Sequence, residues 1–135
     1  MSFELKAHTA DVAVEATGET LANTFEAAAA GLSAAHCASI PKGGDRFSMS
    51  LVAESKDALL FDYLDELIYR RDVEGVLPTA HRVSIEDRED PVLEASARGV
   101  PLVAVDAREI KAVTYSEMEL ERTASGWRAY VVFDV

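Results

Sequence analysis

The chain has 135 residues, 49% of them hydrophobic, and 24 acidic against 13 basic side chains give it a formal net charge of −11. That length suits one domain spanning 1–135, and no apolar run approaches the roughly 20 residues of a membrane span, so no membrane partner is expected. So acidic a surface repels phosphate backbones, which argues against direct nucleic-acid binding, and a lone cysteine, Cys37, excludes an intrachain disulfide framework.

In chain order, residues Phe3 to Ala7 and Val12 to Ala16 read as short strands around a turn at His8 to Asp11, with Val12, Val14 and Ala16 on one face. Thr20 is a plausible N-cap, and Leu21, Phe25, Ala28, Ala29, Leu32 and Ala35 recur at helical spacing, which predicts an amphipathic helix to about Ala35. Pro41-Lys42-Gly43-Gly44 breaks it. Alternation of Phe47, Met49 and Leu51 with polar residues predicts a strand near Arg46 to Ala53. Ser55 then caps a second helix, whose apolar stripe is Leu60, Tyr63, Leu64, Leu67 and Ile68; Asp57 near its start and Arg70 and Arg71 near its end suit the helix dipole. Beyond Gly75 and Pro78 the period becomes two, with strands around Arg82 to Glu86 and Val92 to Arg98. Ala112 to Thr123 and Trp127 to Val135 form a hairpin across Ala124-Ser125-Gly126. The fold class is therefore α+β, two helices packed on a largely antiparallel sheet of about seven strands, with a strand-helix-strand-strand pattern that occurs twice.

The N-terminus lacks the basic-then-apolar pattern of a signal peptide, so the expected location is cytoplasmic. Acidity, an excess of Arg over Lys and abundant Ala read as halophile-like, because molar salt shortens charge repulsion to about 3 Å.

Two acids stand out as candidates. Asp134 shares the face of Tyr130 and Val132 in an apolar strand, where a charge needs a partner or water. The α-carboxylate of Val135 lies beside it, and Asp11 would add a third carboxylate if the two ends meet. Such an oxygen-rich cluster suits a hard divalent cation (Ca²⁺, Mg²⁺ or Mn²⁺) better than zinc. Asp11 reads equally as a turn carboxylate bonded to nearby amides, and Asp134 as a strand end in solvent. His8 is either a structural histidine or an auxiliary to the cluster; Lys111, just before a strand, is either a surface lysine or a contact for phosphate or a partner. His36 and His81 look isolated, Cys37 reads as a small buried apolar residue, and Asp62, Asp65 and Glu66 read as solvated surface. No zinc spacing, phosphate-binding glycine loop or Gly-x-Ser-x-Gly nucleophile is present, so no catalytic residue is assigned.

Four segments, His8-Thr9-Ala10-Asp11-Val12, Asp62-Tyr63-Leu64-Asp65-Glu66-Leu67-Ile68-Tyr69, Ile110-Lys111-Ala112-Val113-Thr114-Tyr115 and Val131-Val132-Phe133-Asp134-Val135, resemble the archease family in the expected order over nearly the whole chain. Ser116 departs from the histidine many archaeal relatives carry there. The resemblance implies a duplicated strand-helix-strand-strand (SHS2-like) domain and a non-enzymatic activator of the RtcB-type RNA ligase in tRNA splicing. It would promote guanylylation of the ligase and multiple turnover, acting only indirectly on tRNA exon halves. It also implies a metal site at Asp11, Asp134 and Val135, with a divalent metal as cofactor: Ca²⁺ in the isolated protein or Mn²⁺ or Mg²⁺ in function. The alternative is a general chaperone or adaptor for RNA-processing proteins with no metal requirement. A stand-alone metal hydrolase is disfavoured, since no base or nucleophile is matched to the carboxylates.

Overall fold

In a computed structural model of the chain, the backbone is described for residues 2–8 and 11–135, and side chains for 2–5 and 11–135. Thr9 and Ala10 of the expected turn lie outside the described residues. The elements run β1 (Ser2–His8), β2 (Asp11–Gly18), α1 (Leu21–His36), β3 (Asp45–Val52), α2 (Lys56–Glu74), β4 (Val76–Glu86), β5 (Val92–Pro101), a 3₁₀ turn (Leu102–Ala104), β6 (Ala112–Thr123) and β7 (Gly126–Asp134).

The strands form two antiparallel sheets rather than one. The first has the order β1-β2-β7-β6 and the second β3-β5-β4. Both helices lie between them: α1 packs on β1, β2 and β7 on one side and β4 on the other, while α2 packs on β6 and on β3 and β4. The β3-α2-β4-β5 unit thus sits inside a larger one made of β1, β2, α1, β6 and β7.

Both helix starts obey local chemistry. Thr20 Oγ1 accepts from the Asn23 amide at 3.0 Å and Ser55 Oγ from the Ala58 amide at 3.1 Å. Gly75 ends α2 at φ 66°, a left-handed cap that glycine adopts at little cost. α2 is amphipathic, as its stripe predicts, burying Leu59, Leu60, Tyr63, Leu64, Leu67 and Ile68. α1 is not. It is buried nearly all round, because two sheets clasp it, and this explains its run of alanines: a Cβ on Gly31 would come 2.5 Å from Val14 Cγ1.

Across β2 and β7, the pairs Val12–Phe133, Val14–Val131 and Ala16–Ala129 enter the main core together with Phe25, Tyr63 and Leu64. Each fully buried side chain of the Val, Leu or Phe kind stabilises by roughly 1.5–3 kcal/mol, so this seam fixes the register of the two strands: a one-residue slip would send the core residues of the slipped strand outward. Two irregularities were not visible in the sequence. β4 begins at Val76 despite Pro78, and absorbs a bulge between Thr79 and Arg82 in which Ala80 takes φ 51°. β6 has a register shift between Thr114 and Glu119. After it, Leu120 faces the core opposite Ala129, whereas Val113 did so opposite Phe133.

Candidate functional site

The register that aligns the core also aligns the acids. Asp11 is the cross-strand partner of Asp134, one step beyond the Val12–Phe133 pair. Since successive side chains alternate, both aspartates project to the outer face of the first sheet. Directly opposed residues place their Cβ atoms about 4.5–5.5 Å apart, so two carboxylates at these positions can reach one small cation at the oxygen distances of about 2.3–2.6 Å typical of Ca²⁺. Asp134 is exposed and Asp11 half-buried.

The row continues in both directions. His8 pairs with Asp11 on β1, and Ala112 pairs with Asp134 on β6. His8 therefore has its backbone at the same end of the sheet, while its side chain lies outside the described residues. On the other flank, the Lys111 amide donates to the Asp134 carbonyl at 2.8 Å, and Thr114 Oγ1 donates to the Val132 carbonyl at 3.1 Å. Fully buried Ile110 and buried Val113 anchor this segment and leave Lys111 at the surface between them. The fold thus brings His8, Asp11, Lys111, Asp134 and Val135 to one edge, although His8 and Val135 are about as far apart in sequence as the chain allows.

Among the described residues, no three His, Cys, Asp or Glu side chains gather in a metal-binding group. Among the described residues, the side-chain donors at this edge are two carboxylates, a hard oxygen set that fits Ca²⁺, Mg²⁺ or Mn²⁺. The acids singled out on α2 have the surface character expected of them: Asp62 and Asp65 are exposed and Glu66 pairs with Arg70 at 2.8 Å.

The other two histidines are less isolated than the sequence suggested. His36 is buried, and its Nδ1 donates to the Arg108 carbonyl at 3.1 Å. Burial lowers its pKa to about 4, the Arg108 hydrogen bond opposing and the Arg71 charge assisting. His81 Nε2 lies 2.7 Å from Ser33 Oγ, whose hydroxyl also reaches the Pro78 carbonyl at 2.7 Å. With Pro78 taking the hydroxyl proton, Nε2–H donates to Oγ and Nδ1 is left bare and buried. Burial first, and then the Arg46 charge, lower the His81 pKa to about 4. Cys37 is buried as expected, its thiol donating to the Ser39 carbonyl at 3.1 Å.

Residues 3–135 match the family model described as the Archease protein family (MTH1598/TM1083). The chain belongs to the archease family. It is 33% identical over 135 residues to the protein archease of Pyrococcus furiosus, covering 95% of this chain and 94% of the relative. With that of Methanosarcina acetivorans it shares 34% over 139 residues, covering 98% and 95%. The archease fold is equally clear in solved structures. The solution structure of Methanobacterium thermoautotrophicum protein 1598 superposes with a TM-score of 0.87 at 28% identity, covering 99% of both chains. A crystal structure from Thermotoga maritima, described as an archease and possible chaperone, gives 0.67 at 22% identity over 98% of this chain and 96% of that one. Two helices on antiparallel sheets are therefore the shared archease architecture. Among the described residues, no helix is long and apolar enough to cross a membrane.

Proposed function

We propose that this chain is a non-catalytic activator of an RtcB-type RNA ligase in tRNA splicing, promoting guanylylation of the ligase and multiple turnover through the edge formed by Asp11 and Asp134. The family supports this reading, and the observation that carries it is the direct cross-strand pairing of the two aspartates. Placed opposite each other on adjacent strands, the two carboxylates stand close enough to share one small cation.

Asp11 and Asp134 would hold the ion, with the α-carboxylate that Val135 carries in this chain as a third oxygen donor. The bound ion would supply positive charge close to nucleotide phosphates. The protein's own part is positional: the Val12–Phe133 pair fixes the spacing of the carboxylates, and the Lys111 amide holds the backbone of Asp134. Lys111 stands exposed on the same edge, where it can orient a phosphate or an acidic group of the partner. Preorganised charge of this kind is the main contribution a protein makes to phosphoryl-type transfer.

The test is a guanylylation assay with the cognate ligase, GTP and manganese, with and without this chain. Wild type should accelerate guanylylation, and Asp134→Ala should abolish the acceleration while melting as a folded protein. Full stimulation by the variant would remove the assignment. A short tag fused after Val135 should weaken stimulation if its carboxylate takes part.

The Thermotoga maritima archease is a possible chaperone, which favours a second reading for this chain, a chaperone or adaptor with no metal requirement. Titration of the isolated protein with Mn²⁺ or Ca²⁺ separates the two, since only the first reading requires binding that Asp134→Ala removes.

A further inference from the structure

The outer face of the second sheet collects cations that the rest of this acidic chain does not neutralise. Arg46 on β3 is the cross-strand partner of Arg98 on β5, which in turn pairs with Thr79 on β4, and Arg82 follows on β4 after the bulge. None of Arg46, Arg82, Arg98 or Lys42 forms an ion pair among the described residues, whereas Lys56, Arg70, Arg71, Arg88 and Arg128 all do. In a chain with 24 acidic side chains, unpaired arginines side by side are an arrangement that needs a reason.

The arrangement is also built. Arg46 donates to Ser96 Oγ at 2.8 Å and to the Ala80 carbonyl at 3.0 Å. Ala80 is the residue with φ 51°, a conformation that costs a non-glycine residue about 1 kcal/mol or more; the bulge therefore turns its carbonyl toward the guanidinium at an energetic cost. Partial burial, then the like charges of Arg82 and Arg98, lower the pKa of Arg46. Beside it runs a cleft of about 450 Å³ with Thr79 and Ala80 on one wall and Lys42 and Arg98 among its lining residues. Ser48, Ser84 and Ser96 lie next to Arg82 in a second hollow, which two carboxylates, Glu26 and Glu94, also line. Among the described residues, no aromatic side chain lines either hollow to stack on a base.

We propose that the face carrying Arg46, Arg82 and Arg98, with the cleft that Lys42 and Arg98 line, binds phosphate groups, those of a free nucleotide or of an RNA strand, without base preference. A phosphoryl group offers three or four acceptor oxygens and up to two negative charges, which several guanidiniums and hydroxyls can share; a lone carboxylate offers half as much. This inference is independent of the ligase reading, because it concerns the opposite sheet and needs no metal.

The experiment measures binding by the intact chain of three probes, inorganic phosphate, GTP and a fluorescent single-stranded RNA 12-mer, in 50–200 mM KCl with EDTA. Arg46→Gln and Arg98→Gln are compared with Arg88→Gln, which removes an equal charge from an ion pair elsewhere. A thermal melt checks that each variant folds. Each cleft variant should weaken binding about tenfold and the control should not. If RNA binds, its log–log salt slope should fall by about 0.7 per arginine lost, and U-rich and A-rich strands should bind alike. RNA binding tighter than GTP identifies the strand as the source; equal or weaker binding identifies the free anion. The proposal is overturned if no probe binds, if all three variants bind alike, or if an acidic peptide of equal charge outcompetes every phosphate probe.

Discussion

Lowering the pH from 7.5 to 5 should destabilise this protein through two histidines at the C-terminal half of α1, His36 as its last residue and His81 on β4 against Ser33. In the folded chain His36 and His81 have pKa values of about 4, against 6.5 for an unperturbed imidazole, and burial is the main cause for both. The unfolded chain therefore binds more protons between pH 4 and 6.5. Their stabilising contribution is complete above 6.5 and is lost progressively as pH falls toward 4. Linkage over that window gives about 2 kcal/mol lost per histidine by pH 5, about 4 kcal/mol for both, with a slope near 1.2 kcal/mol per pH unit each around pH 5.5. Against a usual total of about 5–15 kcal/mol this is a large fraction. Relief of self-repulsion acts in the opposite direction, but carboxylates near 3.9–4.3 remain mostly ionised at pH 5, so the histidine term should dominate there. Urea unfolding at half-unit pH steps measures the slope, and His36→Gln and His81→Gln should each remove about half of it whatever they do to absolute stability. NMR titration of the imidazole Cε1 protons gives the pKa values directly. Ring signals titrating near 6.5 in the folded protein, or a urea midpoint that stays level from pH 7 to 5, would refute the reasoning.

Replacing Gly31 by alanine ought to raise helix propensity by about 1 kcal/mol, but the new Cβ would meet buried Val14 at 2.5 Å; a net loss of roughly 1–3 kcal/mol in chemical denaturation is expected, and a stabilised variant would show that the two elements separate easily. Ser55→Ala removes the acceptor for the Ala58 amide and should cost about 1 kcal/mol, read as a lower denaturation midpoint with unchanged m-value. Asp134→Asn should abolish any rise in melting temperature that Mn²⁺ produces over EDTA, since it removes one of the two opposed carboxylates. A variant that keeps the full Mn²⁺ shift would contradict the shared site.

Much of this architecture was legible in the residues because it rests on local rules. Thr20 and Ser55 announce their helices, the stripe from Leu60 to Ile68 marks the buried face of α2, and the two-residue alternation of Val12, Val14 and Ala16 marks the core face of β2. The periodicity of α1 marks its buried face, but its alanines carry too little hydrophobic contrast to show that the remaining stripe is half-covered as well. β4 was cut short at Pro78 because proline normally ends pairing in a sheet; the bulge beside it, set by tertiary contacts, lets the strand continue. At the acidic edge, the residues could be named from the sequence, yet their meeting could not be read, since nothing local links Asp11 to Asp134.

Taken alone, the sequence determined the composition of the surface, the number and order of the elements, and the family to which the chain belongs. Net charge, however, is a sum over the whole surface, and it gave no hint that arginines from β3, β4 and β5 gather on one sheet. Which strands become neighbours, and hence which distant charges stand side by side, depends on how two sheets close over α1 and bury a shared core. That choice is made by packing between residues far apart in the chain, and only the tertiary structure records it.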